Sequence, residues 1–354
     1  MIAPNTNLLS YTASHLRSHL LTTLPVPTKS FAGQTILITG ANSGIGLEAA
    51  RYFVRLGASK VILGVRSPEK GAAAAKEIIS SISPSEIQGR NPEDVIQVWE
   101  LDLCRYASVL SFSERVNRDL DKLDVAVMNA GVLQYDFVRE EENDVNITVN
   151  VVSTLVLGIS LLPKLRQTSQ STGQTGILSF VGSFTHWMTA FPERTSASEP
   201  GGIFGRLADE KKSGKRPGED RYYVSKLIQL LMIRELAERM TLSERGKEGG
   251  KVVVNVVNPG FVQTQIMRHA TFPFKLFLTG LRKAMARSAE EGARTLVHAA
   301  SVGEEGHGGY LDDCAASEPS VWVQSEEGHE VQKQLWQELS AKLEMIQPGI
   351  METI

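Results

Sequence analysis

From Gln34 onward the chain alternates short, β-rich apolar runs with segments whose apolar residues recur at helical spacing. Residues 35–38, 60–64, 96–100, 124–128, 176–181 and 252–257 read as strands, and 309–311 as a seventh. Nearly continuous apolar runs suit parallel strands covered on both faces. Between them, Leu47, Ala50 and Val54 with Gly57 as a stop, and Val109, Phe112, Val116 and Leu120, mark amphipathic helices. This alternation predicts an α/β fold, a single doubly wound parallel sheet of about seven strands with helices on both faces.

Three stretches depart from the rhythm. Leu9, Ala13, Leu16, Leu20 and Leu24 recur at helical spacing until Pro25 and Pro27, which makes residues 1–32 an amphipathic extension. Such a helix fits packing on the domain or on a second copy, membrane-surface contact, or organelle targeting. Residues 184–219, with Pro192, Pro200, Gly201, Gly202 and the basic group Lys211, Lys212, Lys215 and Arg216, predict a long loop insertion. Residues 265–286 carry Met267, Phe272, Phe274, Leu276, Phe277 and Leu281 directly after a turn. They suit an apolar lid over a substrate, and equally ordinary core, a dimer surface or a membrane contact. The domain itself is expected over 33–315, followed by a C-terminal helical extension over 316–354.

Composition narrows the class. Over 354 residues the apolar share is 42% and the charged share 22%, ordinary globular values. A net charge of −3 gives no broad positive field for phosphate backbones, which argues against a nucleic-acid partner. Only Cys104 and Cys314 occur, little framework for disulfides, and a reducing compartment fits best. No apolar run is read as approaching the about 18 residues that span a bilayer, and no secretion signal is evident, so a cytoplasmic location is expected. For the same reason the acceptor pattern Asn146-Ile147-Thr148 is taken as incidental.

The first strand runs into Gly40-Ala41-Asn42-Ser43-Gly44-Ile45-Gly46, and a helix comes next. Glycines there let the backbone turn tightly and approach a pyrophosphate, whose charge meets the orphan amides of the helix N-terminus. The position between strand and helix points to a dinucleotide. At the end of the second strand, where an acid would bind a ribose 2′-hydroxyl, the chain reads Gly64-Val65-Arg66. An arginine fork suits a 2′-phosphate, so NADPH is expected over NADH, with Ser43 as a further contact. Tyr222 and Lys226 are four apart and share a helix face. A phenol has a pKa near 10, and a neighbouring ammonium lowering it by about two to three units would need about 3 to 4 kcal/mol. The histidines show no metal-ligand grouping, and no metal is expected.

Further motifs in order give the chain its resemblance to the short-chain dehydrogenase/reductase family, over roughly residues 33–315. The glycine spacing of the first loop is of the family's kind. Asp102-Leu103 looks like its adenine-side contact, and Asn129-Ala130-Gly131 like its stabilising and ribose-side motif. Asn150, Ser183 and the pair in Tyr222-Tyr223-Val224-Ser225-Lys226 match its active-site residues. Asn258-Pro259-Gly260 with Val262 and Thr264 looks like its nicotinamide loop. The stretches 63–71 and 161–165 look closest to retinol-dehydrogenase-like and fungal biosynthetic members.

The resemblance implies a Rossmann-type domain, an NADP(H) cofactor, and a carbonyl or alcohol on a hydrophobic small molecule, such as a secondary-metabolite intermediate. It also implies a homo-oligomer. Tyr222 would exchange the proton, Ser183 would hydrogen-bond the reacting oxygen, Lys226 would also hold the ribose, and Asn150 would hold a water leading from Lys226 to solvent. His186 and Trp187, just beyond Ser183, are read as pocket lining or as structural. The alternatives are a retinoid- or lipid-type dehydrogenase at a membrane surface and a dinucleotide-sensing regulator without chemistry. The complete set of four argues against the last.

Overall fold

The computed structural model describes residues 17–83, 86, 90–196, 198–212, 217–243, 249–263 and 285–354. Its centre is a run of strands whose residues are almost all buried: β1 Thr35–Thr39, β2 Lys60–Val65, β3 Ile96–Glu100, β4 Val125–Met128, β5 Gly176–Val181, β6 Val252–Asn258 and β7 Tyr310–Asp312. They lie parallel, and an exposed strand, β8 Ala315–Ser317, closes one edge antiparallel to β7. The order across the sheet is β8-β7-β6-β5-β4-β1-β2-β3, so among the described residues this sheet has eight strands where about seven were expected. The added one is three small residues on a hairpin, too short for an apolar alternation to mark. Strand order reverses between β1 and β4, and a ligand crevice opens beyond their carboxyl ends.

Period two within each strand splits the core into two layers. Ile36, Ile38 and Val127 face α1 Gly44–Arg55, α2 Pro68–Ser80 and α7 Ala289–Ala299. Leu37, Ala126, Met128 and Phe180 face α3 Tyr106–Asp119, α4 Thr154–Thr172 and α6 Pro217–Leu242. The helical stretch Val145–Thr172 corrects one expectation. Its 28 residues are long and apolar enough to cross a bilayer, yet its most apolar window is wholly buried inside the domain. A helix that is apolar all round has this second solution, packing on every side.

The insertion is also more ordered than the proline and glycine pattern implies. It forms short helical turns at Phe184–Met188, Pro192–Ser196 and Glu210–Lys212 and a helix, α5 Gly202–Leu207. Residues 217–219 already belong to α6. Ile203, Phe204 and Leu207 bury themselves with Trp336 and Leu339 of α8 Glu326–Ile346. Glu338 of α8 caps α5, accepting from the amides of Ile203 and Phe204 at 3.1 and 3.0 Å. Arg221 pairs with Glu193 at 3.0 Å, almost fully buried, and this ties the insertion to α6 beside Tyr222. The C-terminal extension is therefore part of the main core.

At the other end of the chain, residues 17–20 are helical and the helix ends at Leu21. Leu24 is buried, but Leu20 and Leu21 are exposed, so the leucine stripe does not all turn inward. Leu9, Ala13 and Leu16 lie outside the described residues.

Candidate active site

Two loops are stitched together at the switch point. After β1 the backbone turns through left-handed conformations at Gly40 and Gly44 (φ 67° and 60°), a region glycine enters without strain. Asn129 Nδ2 donates to the Thr39 carbonyl at 2.8 Å, and the Ala130 amide donates to Thr39 Oγ1 at 2.9 Å. A Cβ on Gly46 would stand 2.5 Å from Asn129 Nδ2 and 2.8 Å from the Gly40 carbonyl, so a larger residue would push the loops apart. Ser43 is the N-cap of α1, its hydroxyl makes no capping bond, and the first turn carries no acid. The opening amides of α1 therefore keep their partial positive charge for an anion, which fits a dinucleotide pyrophosphate. Asn42 and Ile45 are half-buried along the same turn.

Arg66 is exposed at the end of β2, and its charge reaches Cys104 on the turn after β3. Asp102 Oδ1 accepts from the Cys104 amide at 3.0 Å on that turn, and Leu103 is buried beneath it. Burial pushes the Cys104 thiol up to about 11, with Asp102 and Glu140 adding to it and Arg66 opposing. On the other flank, Asn258 Oδ1 accepts from the amides of Phe184 and Gly260, both at 3.1 Å. Gly260 has φ 78°, comes directly after Pro259, and is covered by Arg287 and His19. Val262 is buried and bridges to Arg287, whose amide donates to Phe261 O and whose carbonyl accepts from Gln263, both at 2.9 Å. The Arg287 guanidinium bonds Asp313 at 2.6 Å and the Ser18 carbonyl at 3.2 Å, strapping the N-terminal segment to this loop. Nothing in the sequence pattern singled out Arg287. Thr264 and residues 265–284 lie outside the described residues, so the expected lid has no structural account beyond its ends.

The four candidate catalytic residues converge from separate elements. Asn150 lies in a π-helical turn, Thr148–Ser153, a form that interrupts a helix and often marks functional sites. Its fully buried amide accepts from the Val132 N–H and donates to the Val132 carbonyl, both at 2.9 Å, and donates to Ser225 Oγ at 3.0 Å. The side chain thus joins the loop after Gly131 to the helix of Tyr222. Ser183 lies two residues beyond β5 and caps the helical turn Phe184–Met188; its hydroxyl accepts from the Thr185 amide at 3.2 Å and serves as a hydrogen-bond partner of Tyr222. His186 is buried, and its Nε2 accepts from the Ser320 amide at 3.2 Å. Nδ1 then carries the proton and donates to the Ser183 carbonyl at 2.8 Å. Burial holds this ring down to about 4, so it is a neutral bracket behind Ser183.

Lys226 is buried one turn after Tyr222 on α6. Its Nζ donates to the Val181 carbonyl at 2.7 Å and to Gln229 Oε1 at 3.1 Å. Burial draws its pKa down to about 7. Tyr222 moves in the direction opposite to the one expected. Burial pushes the phenol up to about 12, the Ser183 hydroxyl opposes, and Tyr135 adds to the rise. Lys226 donates to Val181 and Gln229, and desolvation of the buried phenol decides the direction of the Tyr222 shift. A buried hydroxyl acid, a serine beside it and a lysine near neutrality can together deliver and replace a proton at an oxygen placed between Tyr222 and Ser183.

The profile of short chain dehydrogenases matches residues 34–187. A short chain dehydrogenase/reductase of the fungus Cryptosporiopsis sp., dmxR8, is 39% identical over 335 residues, covering 95% of this chain and 98% of its relative. The chain belongs to the short-chain dehydrogenase/reductase family. As a member it is an oxidoreductase, and the family resemblance read from its motifs holds along nearly the whole sequence. The Pseudomonas aeruginosa RhlG/NADP complex superposes with a TM-score of 0.57 at 22% identity, over 81% of this chain and 97% of that one. A 3-ketoacyl-(acyl-carrier-protein) reductase from Brucella melitensis complexed with NADH gives 0.55 at 22%, over 80% and 97%. These two likenesses are of fold, the Rossmann-like sheet with helices on both faces.

Proposed function

We propose that this short-chain dehydrogenase/reductase is an NADPH-dependent enzyme interconverting a carbonyl and an alcohol on a hydrophobic small molecule in fungal secondary metabolism. The observation that carries the reading is the buried meeting of Tyr222 with Ser183, one helical turn from Lys226 and beside the glycine cradle. A bound nicotinamide would supply the hydride to the carbonyl carbon. Tyr222 gives its phenolic proton to the carbonyl oxygen, and the Ser183 hydroxyl donates a hydrogen bond to that oxygen as its charge grows. Lys226, poised near neutrality, returns a proton to the phenolate. Because burial keeps Tyr222 protonated, the site is loaded for reduction. Consumption of NADPH against a panel of aldehydes and ketones tests this, with Tyr222→Phe as the comparison. The variant is expected to lose about 10²- to 10⁴-fold in kcat while binding NADPH within twofold of wild type. Turnover preserved in Tyr222→Phe overturns the proton assignment.

The preference for NADPH rests on Arg66, exposed at the end of β2 with its charge reaching Cys104 on the turn after β3, where a 2′-phosphate would lie. A charged hydrogen bond contributes about 1.5 to 3 kcal/mol, so Arg66→Ala should lower kcat/KM for NADPH by about 10- to 100-fold and leave NADH nearly unchanged. We place the reaction in the cytoplasm. Exposed Leu20, Leu21 and Val26 favour a peripheral contact with a membrane surface. Co-sedimentation with phosphatidylcholine vesicles, lost in Leu20→Ser/Leu21→Ser, tests that contact.

A further inference from the structure

Asn150 is not the only asparagine that grips the loop after Gly131. One turn earlier on the same helical stretch, Asn146 is also fully buried. Its Oδ1 accepts from the Gln134 amide at 3.0 Å, and its Nδ2 donates to the Gln134 carbonyl at 3.0 Å. The two asparagines, four residues apart, hold two residues two apart in the same way. Each side-chain amide stands in for the peptide of a neighbouring strand, so an otherwise unpaired backbone gains a ladder made of side chains. Asp144 locks the second grip, its Oδ1 accepting from Asn146 Nδ2 and from the Asn146 amide, both at 2.9 Å. Both amide atoms of Asn146 are thereby engaged inside the protein, and the glycosylation pattern at 146–148 has no accessible acceptor.

The grip also sets the course of the neighbouring side chains. Leu133, between the held residues, is turned into the core, and Tyr135, directly after Gln134, is half-buried. We propose that Asn146 is a positioning residue and Tyr135 a specificity-determining one: the second grip holds segment 131–135 so that Tyr135 forms a wall of the substrate site beside Tyr222. The held segment begins against the catalytic side chains, since a Cβ on Gly131 would stand 3.1 Å from Asn150 Oδ1 and 3.7 Å from Lys226 Nζ, and in keeping with that placement the Tyr135 phenol disfavours ionisation of Tyr222. The segment is held stiffly because the backbone groups of Val132 and Gln134 are each bonded by an asparagine side chain. It presents an aromatic ring with a polar tip, suited to flat or unsaturated carbonyl compounds over small aliphatic ones.

This inference rests on the proposed carbonyl chemistry, so its test has one arm that needs no turnover. In the full-length chain, hydrogen exchange at the Gln134 amide is expected to be at least tenfold faster in Asn146→Ala, with Val132 within twofold of wild type. In spectra with tyrosine labelled at Cζ, the Tyr222 resonance should move in both Tyr135→Phe and Asn146→Ala. An unchanged Gln134 amide, or an unmoved Tyr222 resonance, overturns the placement. In the second arm, with NADPH and matched aryl and short aliphatic aldehydes, Tyr135→Ala and Asn146→Ala should each raise KM for the aryl members about five- to tenfold. The expected kcat and NADPH affinity stay within twofold. A ranking of aldehydes identical to wild type overturns the specificity role. If wild type reduces no carbonyl, the functional reading and the specificity role both fall, and the exchange and resonance data still decide the grip. If Asn146→Ala does not fold, Tyr135→Phe, which removes one oxygen, decides the placement by the Tyr222 resonance and the specificity role by the aldehyde ranking.

Discussion

Lys226 gives the sharpest test of how the site is held. Burial draws its pKa from the 10.5 of an exposed lysine to about 7. At about 1.4 kcal/mol per pKa unit, this is roughly 5 kcal/mol by which its charged form destabilises the cofactor-free fold below neutrality. Methionine keeps the length of the stem and removes the charge. It also removes the donor from Val181 O and Gln229 Oε1, and each buried acceptor left alone costs about 1 to 2 kcal/mol. Lys226→Met is therefore expected to be about 1 to 3 kcal/mol more stable than wild type at about pH 6. The sign reverses at high pH. Between about 7 and 10.5 the unfolded chain binds more protons at this site than the folded chain, so wild type gains stability as pH rises and the variant does not. Near pH 9.5 only about 1.4 kcal/mol of the charge cost remains, and the variant should be the less stable protein. Urea unfolding of both cofactor-free chains at the two pH values, with equal slopes as the check on two-state behaviour, measures the crossing. A variant less stable at pH 6, or a gap that does not shrink by pH 9.5, refutes the reasoning.

Three further outcomes are expected. Gly46→Ala should lose about 1 to 3 kcal/mol in urea unfolding, because its Cβ meets Asn129 and the Gly40 carbonyl, and should weaken NADPH binding at least tenfold in a fluorescence titration. Glu193→Ala removes the 3.0 Å partner of the buried Arg221, and about 2 to 4 kcal/mol should be lost in the same assay. His186 is held from 6.5 to about 4, so its unfolded form takes up protons first as pH falls. Its share of stability, about 3 kcal/mol, is complete above about pH 6.5 and lost towards pH 4, and His186→Gln should remove that slope from urea midpoints compared at about pH 7 and 4.5.

The parallel strands were legible because burial on both faces writes an apolar run, and the glycine loop and Tyr222–Lys226 pair because their geometry requires fixed residue types at fixed spacing. The helices of the insertion were not. α5 is six residues long, shorter than two turns, and its buried face is completed by Trp336 and Leu339 more than a hundred residues away. Asn146 offered its signal, a second asparagine four before Asn150, but only its Asn-x-Thr pattern was weighed, and with that taken as incidental the residue received no role. The state of Tyr222 could not be read at all. Spacing placed a lysine on the same helix face, while the direction of the pKa depends on desolvation and on Lys226 turning to Val181 and Gln229.

The Val262–Arg287 bridge is fastened by two main-chain hydrogen bonds and by the arginine's hold on Asp313 and Ser18. One side chain therefore bears on three stretches far apart in the sequence: the turn at Gly260, the residue after β7 and the helical turn at Ser18. Arg287 works as a shared linchpin, so loosening it frees all three at once.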